Sequence, residues 1–237
     1  MFLTRTHTPL RRFILPLIFG IVGTAILASL GTWQVRRLTW KEAILAEIDA
    51  RILAAPVALP ASPAPETDRF LPVRASGTIT QDELHVLVSV KKVGPGYRII
   101  SAFETEEGRR ILLDRGFVFT PHKDAVRPEV QATITGNLHW PDEIDKYTPD
   151  NDIDGNIWFS RDVPTMAKAL ETEPVLLIAR ETSENDPSVT PLPVDSAGIP
   201  NDHLQYAVTW FGLATVWVIM TLYFMWRQRA PKEGKET

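Results

Sequence analysis

Two uninterrupted apolar runs stand near opposite ends of the chain. Phe13 to Trp33 contains no charged residue, and neither does Leu204 to Trp226. At about 1.5 Å of rise per residue, each covers roughly 30 Å, the thickness of a bilayer's hydrocarbon core. The pattern predicts two transmembrane α-helices, over residues 13–33 and 203–226. The first run exceeds the roughly 7–15 residues of a signal peptide's apolar core. A retained anchor is therefore expected, although Ala28-Ser29-Leu30-Gly31-Thr32 offers small residues. The residues before Phe13 are too few for a mitochondrial transit peptide, which favours a bacterial inner membrane.

Behind the first run, Leu38, Leu45, Ile48 and Ile52 recur at helical spacing with charges between them, predicting an amphipathic helix over 34–55 that leaves the membrane. Pro- and Ala-rich residues 56–68 read as a semi-rigid linker. Residues 69–184 read as a β-rich domain. Arg69–Ile79 and Glu83–Val90 are expected strands around a turn at Thr80-Gln81-Asp82, and Gly94-Pro95-Gly96 is an expected turn into Tyr97–Phe103. Glu106-Glu107-Gly108 turns the chain into Arg109–Phe117. Glu129–Leu138, a short aromatic segment Gly155–Ser160 and Val175–Ala179 complete the strands, and Asp162 caps a helix to Leu170. Residues 185–202 form a Pro-rich return to the membrane. The expected fold class is a membrane protein with two transmembrane helices flanking a β-rich extracytoplasmic α+β domain, a small antiparallel barrel or sandwich.

Charge adds orientation. Arg5, Arg11 and Arg12 before the first span are nearly balanced by Arg36, Arg37 and Lys41 after it. Arg227, Arg229, Lys232 and Lys235 follow the second span with no counterpart before it. The positive-inside rule places both termini, 1–12 and 227–237, in the cytoplasm and the domain in the periplasm. Between the runs lie 18 of the 25 basic and 27 of the 29 acidic residues, a surface ill-suited to nucleic acid. The chain has no cysteine, which excludes disulfides and thiolate-held metals.

Few motifs carry chemistry. Asp150-Asn151-Asp152-Ile153-Asp154-Gly155 opens like a calcium loop, but Arg161 stands where the bidentate glutamate belongs, so an Asx-rich turn is the better reading. His85, His122 and His139 lie on separate elements without ligand spacing, and His85 alternates outward as a surface strand residue. No nucleophile elbow, phosphate loop or dinucleotide fingerprint is present. The second span is richer. His203, Ala207, Trp210, Ala214 and Trp217 share one helical face, a ring-nitrogen ligand above alternating gaps and flat rings. An ionisable residue at the edge of hydrocarbon is a functional candidate, and neutral imidazole is an iron ligand. The same stripe also suits plain helix packing against Gly20, Thr24, Ala28 and Gly31. Arg36 and Arg37 end the first span near the level of His203, placed for haem carboxylates or for lipid phosphates.

Several segments carry a resemblance. Leu30-Gly31-Thr32-Trp33-Gln34-Val35-Arg36-Arg37, Gly94-Pro95-Gly96-Tyr97, Leu113-Asp114-Arg115-Gly116-Phe117, Thr148 to Asp152 with Asn156-Ile157-Trp158-Phe159, and Pro200 to Ala207 with Thr209-Trp210-Phe211 occur in order. The chain resembles the Surfeit locus protein family of cytochrome c oxidase assembly factors over most of its length. Asp114 and Phe117 depart from the Asn and Trp of much of that family. The resemblance implies a non-enzymatic role: binding haem a and assisting its insertion into cytochrome c oxidase subunit I, beside haem a synthase. It implies that His203 ligates the haem iron, with Trp210, Ala207 and Tyr206 about the ring and Arg36 or Arg37 at the propionates. The alternative is a scaffold that stabilises an oxidase intermediate without touching haem.

Overall fold

The computed structural model describes residues 10–185, 188–197 and 199–229, without the side chains of 10–12 and 229. Most of the two expected cytoplasmic termini lies outside these residues, with Arg5, Lys232 and Lys235. The chain divides into two compact units, residues 1–46 with 197–237 and residues 47–196.

The first unit is a helix pair. Helix α1, Leu10–Ile52, is one continuous 43-residue rod that covers both the apolar run and the amphipathic segment behind it. Its partner in this unit, His203–Arg229, is the last helix of the chain, α4. Both are long and apolar enough to cross a membrane, and only 6% of each apolar window is buried. Phe19, Ile21, Leu204, Val208 and Leu222 point outward, an arrangement suited to hydrocarbon surroundings. The helices meet through small residues. A β-carbon on Gly20 would overlap Thr221, one on Gly23 would overlap Trp217, and one on Gly31 would lie 2.8 Å from the Phe211 ring. Rising numbers on one helix match falling numbers on the other, so the pair is antiparallel.

The second unit is built on a mixed six-stranded sheet. Its strands are β1 (Val57–Ala58), β2 (Pro72–Val90), β3 (Gly94–Thr105), β4 (Arg110–Phe119), β5 (Val130–Leu138) and β6 (Leu176–Thr182). Helices α2 (Pro65–Asp68) and α3 (Val163–Ala169) precede β2 and β6. Strand β2 pairs with β3 and also with β5, so the ladders run β2–β3–β4–β6–β5 and back to β2. Five strands in such a circuit cannot alternate direction throughout, because five is odd. The one mismatch falls at β4–β6, which is parallel; the other four pairings are antiparallel, and the expected purely antiparallel sheet is corrected accordingly.

The core explains the continuous apolar run Ile111-Leu112-Leu113. Ile111 and Leu113 join Val73, Phe103, Ile134 and Leu177 in one cluster. Leu112 turns to the other face, among Ile100, Trp158, Leu176 and Met166 of α3. A strand buried on both faces loses period-two alternation.

Three local expectations are corrected. Thr80-Gln81-Asp82 is not a turn but an irregularity within the single 19-residue β2, where the register with β3 shifts between Ile79 and Glu83. Thr80 Oγ1 donates to the Ala102 carbonyl there, at 3.2 Å. Gly94-Pro95-Gly96 belongs to β3 and pairs with Ser89 and its neighbours. The turn precedes it at Lys91-Lys92-Val93, with Lys92 at φ 69°, and Gly94 at φ 117° opens the strand. The Pro-rich segment also contributes β1, which pairs in parallel with Val73 and Arg74.

Candidate functional site

Helix α4 begins at His203, just after Pro200, and its first turn closes with the Tyr206 N–H donating to the Asp202 carbonyl at 3.2 Å. The half-buried His203 ring meets α1: its Nδ1 lies 2.8 Å from Oε1 of Gln34, which is 8% exposed. An amide oxygen only accepts, so in the neutral ring Nδ1 carries the proton and Nε2 keeps its lone pair. Below His203 the same face continues into the helix contact. Ala207 is 3% exposed, Ala214 is buried, and Trp217 Nε1 donates to the Gly20 carbonyl at 3.2 Å.

The six sequence-derived site residues therefore divide. His203 and Ala207 lie on the packed face, and Trp210 is half-buried. Tyr206, Arg36 and Arg37 are exposed. The Arg37 guanidinium lies 3.8 Å above the Trp40 ring on its own helix. His203 takes its polar partner from Gln34 rather than from the arginines or the tyrosine. A groove of about 560 Å³, lined by Leu15, Phe19, Trp217, Met220 and Phe224, lies further along the pair. Its lining residues on α4 lie roughly 20–30 Å from His203 along the helix. Gln34 was not singled out from the sequence. The signal was available: an amide side chain directly after an apolar span, too long to bond its own helix as Thr32 does, needs a partner, and His203 begins the other span.

The β-rich unit holds two buried charge clusters. In the first, the wholly buried Asp114 accepts from Arg98 Nη1 at 2.6 Å, from Arg161 Nη1 at 3.4 Å and from the Gly116 N–H at 3.1 Å. Arg161 also grips Glu143 through its side chain and backbone N–H. Burial works against ionisation of both, but their hydrogen bonds prevail, so Glu143 titrates below and Arg161 above its ordinary value. His139, stacked on Phe70, is pushed down to about 4 by burial and then by Arg161 and Arg69.

In the second cluster, Arg127 is 4% exposed; it donates to Glu83 at 2.5 Å and to the carbonyls of His122, Lys123 and Ala125. Glu83 also meets His85 Nε2 at 2.9 Å. His85 is thus buried, not a surface residue: it does lie on the strand face opposite Leu84 and Val86, but Glu83 and Tyr97 pack against it there and Arg127 grips Glu83. Among the described residues, no three His, Asp or Glu side chains group to hold a metal ion. In the acidic loop, Asp152 accepts the Gly155 N–H at 3.0 Å and Asn151 reaches across the loop to accept the Phe159 N–H at 3.1 Å.

Comparison with known proteins covers both units. The profile of the SURF1 family matches residues 21–215. Human Surfeit locus protein 1 is 30% identical over 215 residues, covering 78% of this chain and 69% of the human protein. A SURF1-like protein of Rickettsia bellii is 30% identical over 234 residues, covering 92% of each chain. One from Rickettsia felis is 30% identical over 221 residues, covering 88% of this chain and 95% of its own. With the match running from the first apolar helix through the β-rich unit into α4, the chain belongs to the SURF1 family.

Proposed function

We propose that this protein is an assembly factor for cytochrome c oxidase in a bacterial inner membrane, with both termini cytoplasmic and the β-rich domain periplasmic. It takes haem a as cargo from the side of haem a synthase and helps to place it in subunit I. Membership of the SURF1 family supports the assembly role, and the two apolar helices support the membrane location. The observation that carries the haem reading is the His203–Gln34 hydrogen bond, which leaves Nε2 as a ligating nitrogen at the start of α4. Metal-binding histidines characteristically donate their other ring N–H to an oxygen in this way. Iron held by one imidazole is held weakly enough to be passed on. Exposed Tyr206, half-buried Trp210 and the guanidinium of Arg36 are the groups at hand for the ring and its carboxylates. Arg37 would first have to leave Trp40.

A second reading has its own support. Ala207 and Ala214 are buried, so the space beneath His203 that a ring would use is taken up by helix packing. On that reading the protein is a membrane scaffold that stabilises an oxidase intermediate and never touches haem. The visible spectrum of the full chain, purified in detergent from a strain that makes haem a, separates the two. Co-purifying haem that disappears in His203→Ala supports the carrier. A colourless protein that still captures subunit I supports the scaffold.

A further inference from the structure

We infer that Gln34 is the positioning residue of His203: it fixes the ring tautomer, so that Nε2 alone can bind iron. The inference rests on the haem reading above and deepens it. A neutral imidazole has one N–H and one lone pair, and in water both tautomers are populated. Here the acceptor is built in. Oε1 of Gln34 lies 2.8 Å from Nδ1, and Gln34 is 8% exposed, so water competes poorly for its amide. The hydrogen bond holds the ring's rotation as well as its proton. It also feeds electron density through the ring to Nε2, as an outer oxygen does behind other metal-bound histidines. Gln34 supplies this from α1, whereas the ligand begins α4, so a correctly oriented ring requires both helices in register.

The test uses the full chain in detergent micelles with ¹⁵N-labelled histidine. Nitrogen shifts of His203 are assigned by difference from His203→Ala and recorded without haem at a pH where imidazole is neutral. The wild type should show the Nδ1–H form. Gln34→Leu, similar in size but unable to accept, should lose it, and Gln34→Glu should keep it. Ferric haem b is then titrated and followed at its Soret band, and the midpoint potential of the bound iron is measured. Gln34→Leu should bind about 10–100-fold more weakly. Gln34→Glu should retain the affinity with a more negative potential, because a carboxylate pulls harder on the Nδ1 proton. Helix packing alone would move neither the tautomer nor the potential in this order. An Nε2–H form in the wild type overturns the inference. So does a Gln34→Leu variant with wild-type affinity and potential while His203→Ala has lost binding, a result that leaves the haem reading intact. Wild-type binding by His203→Ala overturns both. Should Gln34→Leu fail to fold, the wild-type shifts and the Gln34→Glu potential still decide.

Discussion

Replacing Asp114 by alanine should destabilise the β-rich unit far more than removing an exposed charge such as that of Glu181. The Asp114 side chain is 0% exposed, and its partners Arg98 and Arg161 are 12% and 14% exposed. Breaking a buried pair by removing one partner costs about 3–5 kcal/mol, since the remaining charge is left without compensation. Arg98 retains the Leu192 carbonyl at 3.1 Å and Arg161 retains Glu143, which places the loss near the lower bound. About 3 kcal/mol corresponds to a fall of roughly 6–12 °C in melting temperature for a unit of this size. Urea-dependent pulse proteolysis of the full chain in detergent reads the loss directly. Glu181→Ala is the control. Its carboxylate is 71% exposed and 3.8 Å from Arg180, so its removal should change stability by less than about 0.5 kcal/mol. A loss below about 1 kcal/mol for Asp114→Ala would refute the idea that this carboxylate organises the cluster.

Other outcomes follow from the same geometry. His139 titrates at about 4 in the folded chain, against an ordinary 6.5, because burial and then Arg161 and Arg69 oppose its charge. Between those values the unfolded chain takes up a proton that the folded chain refuses, so stability falls as pH drops from about 6.5 to about 4. His139→Phe should flatten that part of the curve in urea titrations, and an unchanged slope would count against the assignment. Gly31→Leu should splay the helix pair, because even a β-carbon there lies 2.8 Å from the Phe211 ring. In this cysteine-free chain, Gln34→Cys with His203→Cys should cross-link through a short bis-maleimide, and adding Gly31→Leu should reduce the yield several-fold. Equal yields would show that Gly31 is not at the contact.

The two apolar helices and most strands were legible in the sequence because their signals are local. Charge-free length marks the helices, and runs such as Ile111-Leu112-Leu113 mark doubly buried strands. The long β2 was misread as two strands because Gln81-Asp82 looks like turn chemistry, whereas a register shift absorbs the polar residues. The parallel β4–β6 pairing depends on how many strands join the circuit, which no local window contains. His203 stood out by its place at the start of an apolar span. Gln34 did not, since its role depends on a residue 169 positions away. The buried His85 was hidden for a related reason: alternation sets its ring opposite Leu84 and Val86, but that this face is covered depends on Tyr97 and Arg127, which lie far along the chain.

The central claim is that the imidazole at the start of α4 holds haem. It is tested most directly by the visible spectrum of the full chain purified from a strain that makes haem a, beside that of His203→Ala. The account predicts a haem a spectrum in the wild type that is lost from a folded His203→Ala protein. Equal pigment in both, or none in either, would contradict it.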